Sequence, residues 1–216
     1  MCQCYCNMLF ISALCGYILG SIPFGLVLTR LAGYGDIRKI GSGNIGATNV
    51  LRTGNKALAL LTVLLDAFKA GIAAYLAYII APNVSYDFFG IDARFDVVCG
   101  LLAGSMGVIG HNFPVWLDFK GGKGVASAFG LILIMSWPLA LIALFIWLFM
   151  AFTFRYSSLA ALTAAACVPF LALLMLPAEY CVFYFGIVIL VIARHKDNIK
   201  RLLNGQESKI HLKKQA

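Results

Sequence analysis

Long apolar runs separated by short polar segments are the feature that most limits how this chain can fold. Hydrophobic residues make up 62% of the 216 residues and charged residues 12%, against about 25% charged residues in soluble domains. A helix that crosses a bilayer needs about 20 apolar residues. We therefore predict an all-α integral membrane protein in which residues 1–216 form a single transmembrane domain. Its seven predicted transmembrane helices cover residues 8–31, 57–81, 95–109, 123–135, 138–154, 159–176 and 180–193.

Breaks inside the apolar runs decide the number of spans. A single helix from Val125 to Phe152 would be about 42 Å long at ~1.5 Å per residue, against a hydrocarbon core of about 30 Å. Pro138 disfavours helix at the residue before it, so we divide this run into two spans. In the first span, Pro23 is expected to kink the helix. The polar segment of residues 82–94 is expected to be a loop.

The basic residues predict the orientation in the membrane. With seven spans, every Lys and Arg except Lys69 and Arg94 falls on one side of the bilayer. Cytoplasmic loops carry an excess of Lys and Arg, so we predict an external N-terminus and a cytoplasmic C-terminus. All the glycine-rich polar segments then lie on the cytoplasmic side, where they could form one composite site. The basic residues occupy the gaps between spans, so nucleic acid is not an expected partner.

A polar stretch at residues 41–49, with the sequence GSGNIGATN, interrupts the apolar pattern. Glycine lets the backbone turn tightly, and successive N–H groups in a turn can cradle an anion. Arg52 follows, and arginine binds phosphate through two parallel hydrogen bonds. We predict a phosphate or oxyanion site at the membrane surface. The alternative is an ordinary turn-rich loop whose arginine only sets topology. The candidate ligands are Ser42, Asn44, Thr48, Asn49 and Arg52.

A second glycine-rich segment covers residues 121–124, with the sequence GGKG, and follows His111. It lacks the Ser or Thr and the first Gly of a nucleotide-binding P-loop. Lys123 could still bind phosphate as a point charge, and His111 is a further candidate ligand. The alternatives are a lysine that only sets topology and a histidine that only caps a helix.

The C-terminal polar segment contains His195 and Asn198, which are three residues apart and share a face if the last helix continues. The alternative for both is a solvated helix face. Lys200 and Arg201 are more simply explained by anionic lipid headgroups. Ser158 lies in a tight polar break between two predicted spans and would face the same side.

Other polar residues are interpreted structurally or left open. Asp66 and Lys69 lie within a predicted span and on one helix face, so we predict a structural ion pair. The acidic residues are scattered, which favours phosphate binding without a metal ion or other cofactor. A metal or redox role for the alternating Cys2, Cys4 and Cys6 is the open alternative at the N-terminus.

These motifs resemble one family, the bacterial acyl-phosphate-dependent glycerol-3-phosphate acyltransferases. The resemblance rests on residues 20–25, 41–52, 110–114, 119–126 and 195–202, followed by Gly205 and Glu207. It implies a multi-pass protein of the bacterial inner membrane with its active site facing the cytoplasm. It also implies transfer of an acyl group from acyl phosphate to the 1-hydroxyl of glycerol 3-phosphate, without a cofactor. The products would be 1-acylglycerol 3-phosphate and phosphate. The implied partners are membrane lipid and an enzyme that forms acyl phosphate.

The resemblance also implies roles for individual residues. The substrate ligands would be Ser42, Asn44, Arg52, Lys123, Ser158, His195 and Asn198. Among these we predict catalytic roles for Ser42, His195 and Asn198. A substrate phosphate oxygen is favoured as the proton acceptor, and His195 is expected mainly to bind. Ile45 stands where the family often has proline. The rival functions are a phosphate transporter and a non-catalytic lipid-binding protein.

Overall fold

A computed structural model describes residues 2–210, without the side chain of Cys2. Most of this part is helical. Its helices are α1 (Cys2–Gly20), α2 (Phe24–Leu31), α3 (Ala47–Val50), α4 (Lys56–Ile80), α5 (Phe95–Asn112), α6 (Val125–Met135), α7 (Trp137–Phe154), α8 (Ser157–Met175), α9 (Ala178–Arg194) and α10 (Lys196–Leu203). Short 3-10 turns cover Ile37–Lys39, Leu51–Thr53 and Val115–Leu117. The two strands are β1 (Ser85–Phe88) and β2 (Ile91–Arg94).

The chain divides into two compact units, residues 1–135 and residues 136–216. In the first unit, glycines let α1, α4, α5 and α6 approach closely. A methyl group on Gly16 would overlap the carbonyl of Ala103, and one on Gly130 would overlap the carbonyl of Ala67. Small residues at such contacts are typical of helix packing in membranes, because they allow the backbones to meet.

The first predicted span differs from the structure in two ways. Helical structure begins at Cys2 rather than at residue 8, and it is interrupted between Gly20 and Phe24. Pro23 accounts for the interruption, because proline lacks an N–H group and disfavours helix at the residue before it. The irregularity predicted at Pro23 is a short non-helical step between α1 and α2, within a stretch that is still long enough to form one span.

The polar segment predicted as a loop contains an antiparallel hairpin, in which Ser85 pairs with Arg94 and Phe88 with Ile91. Phe89 and Gly90 have positive φ angles of 54° and 80°, as in the two-residue turns that suit hairpins. The prediction of a loop was wrong here because four-residue strands carry too little sequence pattern.

The second unit contains α7 to α10. Helix α6 ends at Met135 and α7 begins at Trp137, with Pro138 in its first turn. The predicted division of this run is confirmed, and it falls at Ser136. Helices α9 and α10 meet at a bend of 59°. The tail then returns to the start of α8, where the N–H of Ile210 donates to the carbonyl of Arg155 at 2.6 Å.

By length and composition, five helical stretches of the described residues could cross a membrane, and a sixth if α9 and α10 form one bent span. They are Gln3–Leu31, Lys56–Ile80, Phe95–Leu117, Trp137–Phe154 and Ser157–Met175. Helix α6 is apolar but shorter. The fold is that of a multi-pass helical membrane protein. Seven spans and an external N-terminus stay predictions.

The cysteines at the N-terminus do not form a described site. Cys4 and Cys6 are exposed and free, while the side chain of Cys2 lies outside the described residues. The metal or redox role of this trio therefore stays a prediction.

Candidate active site

Asn49 is the structural centre of the loop of residues 41–49. Its side chain is buried, and the amide nitrogen donates to the carbonyl oxygens of Ile37, Ile40 and Asn44 at 2.9, 3.0 and 2.8 Å. Its amide oxygen accepts from the N–H of Ser42 at 3.1 Å. Both polar atoms of Asn49 are thus engaged within the loop. Contact of Asn49 with a substrate stays a prediction, while its support of the loop is visible directly.

The other candidate ligands of this loop are more accessible. Ser42 and Thr48 are exposed, and Asn44 is half-buried with its amide oxygen accepting from the N–H of Gly46 at 2.9 Å. Such a contact between an Asn side chain and the backbone two residues later stabilises a tight turn.

Arg52 lies across Gly41, whose φ angle is +57°. A methyl group on Gly41 would overlap the guanidinium of Arg52, so glycine serves both the turn and the approach of the arginine. The guanidinium is exposed, and within residues 2–210 it makes no hydrogen bond or ion pair. Arg52 is therefore the cation of this loop that is available to an anionic ligand.

Asp36 orders the segment before the loop. Its carboxylate accepts from the backbone N–H of Arg38 at 3.0 Å and pairs with the Arg38 guanidinium at 2.6 Å. The hydrogen bond from the Arg38 side chain holds the pKa of Asp36 well below its usual range. Arg38 is thus already neutralised by a partner, in contrast to Arg52.

The loop of residues 121–124 is fixed by the end of α5. The N–H of Gly121 donates to the carbonyl of Asn112 at 3.1 Å, and the N–H of Gly122 donates to the carbonyl of His111 at 2.9 Å. These two N–H groups therefore do not form an anion cradle. Lys123 is half-buried and already interacts with another group of the protein. It is the remaining candidate of this loop for phosphate binding.

His111 is buried rather than open to a ligand. Its Nδ1 lies 3.0 Å from Nζ of Lys69, and Lys69 lies 3.0 Å from Oδ1 of Asp66. The predicted Asp66–Lys69 ion pair is confirmed, and His111 joins it. The role of His111 as a phosphate ligand stays a prediction that this burial does not favour.

Glu207 organises the polar cluster of the second unit. Its Oε1 accepts from Ser158 Oγ at 2.7 Å and from Asn198 Nδ2 at 2.6 Å, and its Oε2 pairs with Arg201 Nε at 2.7 Å. Burial alone would raise the pKa of Glu207, but these three hydrogen bonds outweigh it and lower the pKa. Glu207 was not among the candidate site residues, although it lies in the motif that suggested the family.

His195 stands at the bend between α9 and α10 and is 3% exposed. Its Nδ1 lies 2.7 Å from the carbonyl oxygen of Val191. A carbonyl oxygen only accepts hydrogen bonds, so Nδ1 carries the proton. In the neutral imidazole, Nε2 is then the atom that can accept a proton or a hydrogen bond. Asn198, three residues later, is also buried.

The fold and these side chains define an integral membrane protein with arginine, lysine, histidine and amide groups beside its helix ends, a donor set suited to phosphate. A family model described as glycerol-3-phosphate acyltransferase matches residues 10–205. The chain belongs to the glycerol-3-phosphate acyltransferase family, as the sequence motifs predicted.

Relatives and solved structures agree with this assignment. A glycerol-3-phosphate acyltransferase of Rhodospirillum rubrum is 53% identical over 209 residues, covering 97% of this chain and 94% of the relative. One of Mesorhizobium japonicum is 51% identical over 205 residues, covering 95% and 97%. The chain is also similar to crystal structures of PlsY (YgiH), an integral membrane glycerol 3-phosphate acyltransferase. Its glycerol 3-phosphate form gives a TM-score of 0.83 at 37% identity, covering 94% of this chain and 96% of that chain. Its lysophosphatidic acid form gives a TM-score of 0.81 at 36% identity, covering 94% and 95%.

Proposed function

We propose that the protein transfers a fatty acyl group from acyl phosphate to the 1-hydroxyl of sn-glycerol 3-phosphate. The products are 1-acylglycerol 3-phosphate and inorganic phosphate, which places the reaction in phospholipid synthesis. The observation that carries this proposal is the similarity, over almost the whole chain, to the glycerol 3-phosphate and lysophosphatidic acid forms of PlsY. Acyl phosphate as the donor is supported by the sequence motifs and by the phosphate-binding character of the side chains.

The first unit supplies phosphate ligands in this proposal. Arg52 binds a phosphate through the two parallel hydrogen bonds that its guanidinium can donate, and Ser42 and Thr48 offer exposed hydroxyl groups. Asn44 contributes its remaining amide donors, and Lys123 adds a second positive charge. Asn49 is reassigned as the internal support of the loop, because its polar atoms are already engaged there.

The second unit supplies Ser158, His195 and Asn198 in this proposal. His195 Nε2 accepts a hydrogen bond from a substrate hydroxyl, since its Nδ1 donates to Val191. Asn198 and Ser158 are held by Glu207 in fixed orientations. The hydroxyl hydrogen of Ser158 is donated to Glu207, so Ser158 offers a substrate only its oxygen, as an acceptor. In this proposal the Asn198 amide is the pre-oriented donor that stabilises the negative charge developing on a carbonyl oxygen during acyl transfer.

The chemistry requires no protein nucleophile. The 1-hydroxyl oxygen attacks the acyl carbonyl carbon and forms the ester bond, while the bond from that carbon to the phosphate oxygen breaks. The hydroxyl proton passes to the departing phosphate. Holding the hydroxyl oxygen of one substrate next to the acyl carbonyl carbon of the other supplies much of the rate enhancement of such a reaction. No cofactor takes part, and the proposed partner is an enzyme that forms acyl phosphate at the cytoplasmic face of the bacterial plasma membrane.

The proposal is tested with the purified protein in detergent, supplied with acyl phosphate and labelled glycerol 3-phosphate. We expect labelled lysophosphatidic acid and an equal amount of phosphate. Parallel reactions with acyl-coenzyme A and with acylated acyl carrier protein test the choice of donor, and neither is expected to react. A folded protein that forms no lysophosphatidic acid from any donor would favour the transport or lipid-binding alternatives.

Replacing Asn49 with aspartate should lower the catalytic efficiency for glycerol 3-phosphate by roughly tenfold or more. Aspartate keeps the oxygen that accepts from Ser42 but loses the amide hydrogens given to three carbonyl groups. Lost buried hydrogen bonds cost about 1–3 kcal/mol each when a partner stays unsatisfied. Steady-state kinetics on the purified variant measure the effect.

The matched control for Asn49 is Asn55→Ala. Asn55 caps α4 by accepting from the N–H of Leu58 at 2.9 Å, so its loss should cost about 1 kcal/mol of stability without changing the KM. Equal kinetic effects in the two variants would contradict the supporting role of Asn49.

A further inference from the structure

A buried lysine connects the two glycine-rich segments of the first unit. Nζ of Lys69 lies 3.0 Å from Oδ1 of Asp66, 2.8 Å from the carbonyl oxygen of Ile22 and 3.0 Å from Nδ1 of His111. An ammonium group only donates, so Lys69 hydrogen-bonds to the Ile22 carbonyl and to Nδ1 of His111, and it forms an ion pair with Asp66. The side chains of Asp66, Lys69 and His111 are each about 5% exposed or less. Lys69 is therefore held in place from three directions.

His111 transmits this constraint to the loop of residues 121–124. Because Lys69 donates to Nδ1, the proton of the neutral imidazole lies on Nε2. A methyl group on Gly122 would overlap Nε2 of His111, so the ring forms the surface on which the loop rests. The carbonyl of His111 also accepts from the N–H of Gly122 at 2.9 Å. Both the ring and the backbone of His111 therefore support the residue before Lys123.

Asp66 constrains the chain on the other side of the same loop. Its backbone carbonyl accepts from Oγ of Ser127 at 2.8 Å, and Ser127 lies in the first turn of α6. The loop is thus held at α5 by His111 and at α6 by Ser127. The two contacts lead to neighbouring residues of α4: His111 contacts Lys69, and Ser127 bonds to Asp66.

The third contact of Lys69 leads to the other glycine-rich loop. Ile22 lies at the break between α1 and α2, and its carbonyl accepts from Lys69. Helix α2 carries Gly25, where a methyl group would overlap the carbonyl of Ile45. The loop of residues 41–49 therefore lies directly against α2, and Lys69 helps to fix where α2 begins.

We propose that Lys69 is a positioning residue for the two proposed phosphate-binding loops. It acts through His111 on the loop that carries Lys123, and through Ile22 on the helix that supports residues 41–49. It contacts no substrate. This inference rests on the proposed function of the two loops, and it assigns the buried ion pair a role beyond stability.

The informative change removes both charges together, because a single Lys69 variant would leave Asp66 buried without its partner. The double variant Asp66→Asn/Lys69→Met keeps similar side-chain volumes and is expected to fold. We expect its KM for glycerol 3-phosphate or for acyl phosphate to rise more than threefold. KM values for both substrates within threefold of the wild type would overturn the proposal.

A second variant, His111→Asn, tests the proposal independently in case the double variant does not fold. Asparagine can place an oxygen near the position of Nδ1 and accept from Lys69, but it removes the ring beneath Gly122. We expect a melting temperature close to that of the wild type, again with a KM for one substrate raised more than threefold. An unchanged KM for both substrates in this variant would overturn the proposal as well.

The control is Asp96→Asn, at the other end of α5. Asp96 is buried and pairs with Arg94 at 2.5 Å, so its loss should lower the melting temperature without moving either KM more than threefold. An equal rise in KM in this control would mean general loosening of the unit and would contradict positioning by Lys69.

A binding measurement separates this inference from the proposed function. The shift in melting temperature caused by glycerol 3-phosphate is measured for the wild type and both variants without any acyl donor. A wild type that forms no product refutes the proposed function alone. The positioning role then stands if the wild type shows the shift and the variants lose most of it. It falls if the variants keep the shift or if the wild type shows none.

Discussion

Replacing Arg52 with alanine is expected to raise the KM for glycerol 3-phosphate by roughly 100-fold. The Arg52 guanidinium is exposed and makes no hydrogen bond or ion pair within residues 2–210, so its removal breaks no polar contact of the protein, although it does remove the packing of Arg52 against Gly41. The hydrogen bonds that are lost are those between Arg52 and the substrate phosphate. Hydrogen bonds to charged groups contribute about 1.5–3 kcal/mol each, and about 1.4 kcal/mol corresponds to a tenfold change. Steady-state kinetics at saturating acyl phosphate measure the effect.

Two further variants define what Arg52 contributes. Arg52→Lys keeps the charge but loses the planar pair of donors, so its KM should lie between those of the wild type and the alanine variant. Lys56→Ala removes a positive charge from an exposed position nearby in the sequence and should leave the KM almost unchanged. An unchanged KM in Arg52→Ala would remove Arg52 from the site, and equal effects in Lys56→Ala would point to a general electrostatic effect.

Local sequence signals predicted the breaks between helices well. The apolar run from Val125 to Phe152 divides at Ser136 and not at Pro138 itself, which lies in the first turn of α7. Proline is tolerated there because the first N–H groups of a helix have no partner within it, so Pro138 indicated that a helix starts nearby. The hairpin of residues 85–94 was not predicted, because its strands have four residues each and pair only with one another. Short strands depend on contacts that hydrophobic periodicity does not encode.

The direction in which a polar side chain points could not be predicted from its type. Asn49 and His111 were grouped with the exposed Ser42 and Arg52 as ligands, yet both are buried and bonded inside the first unit. A glycine-rich loop needs internal supports as well as ligands, and asparagine serves either purpose. Only the path of the backbone distinguishes the two uses.

Hydrogen-bond partners that are far apart in the sequence could not be predicted either. Glu207 bonds Ser158, which is 49 residues away in the chain, as well as the nearby Asn198 and Arg201. The predicted topology placed Ser158 and Asn198 on the same side of the membrane, but it did not identify Glu207 as the residue that joins them. The Asp66–Lys69 pair was predictable from its helical spacing, whereas its link to His111, 42 residues away from Lys69, was not.

Replacing Glu207 with glutamine is expected to lower kcat by about 100-fold. Ser158, Asn198 and Arg201 all donate to this carboxylate, and one of the two glutamine end groups is itself a donor. At least one of the three donors then faces the glutamine NH2 group, which cannot accept a hydrogen bond, and that donor has to change its orientation. A displacement of about 1 Å in groups that position a substrate can cost 100-fold in rate. Turnover at saturating concentrations of both substrates measures the change.

The pH dependence of stability offers a second measurement on the same residue. The folded-state pKa of Glu207 lies below its ordinary value of 4.5, because three hydrogen bonds favour the carboxylate. A lowered folded-state pKa means that the stabilisation is complete above the unfolded-state pKa and is lost as the pH falls through the folded-state pKa. Melting temperatures of the wild type should therefore fall more steeply below about pH 4.5 than those of Glu207→Gln.

Asp197→Asn separates the role of Glu207 from the simple loss of a negative charge. Asp197 lies in the first turn of α10 and is exposed, so its replacement changes the net charge equally without disturbing the cluster around Glu207. We expect kcat within about twofold of the wild type. Glu207 would be a dispensable surface carboxylate if both variants kept wild-type turnover, and the orientation of Ser158 and Asn198 would then have to be maintained by the helices alone.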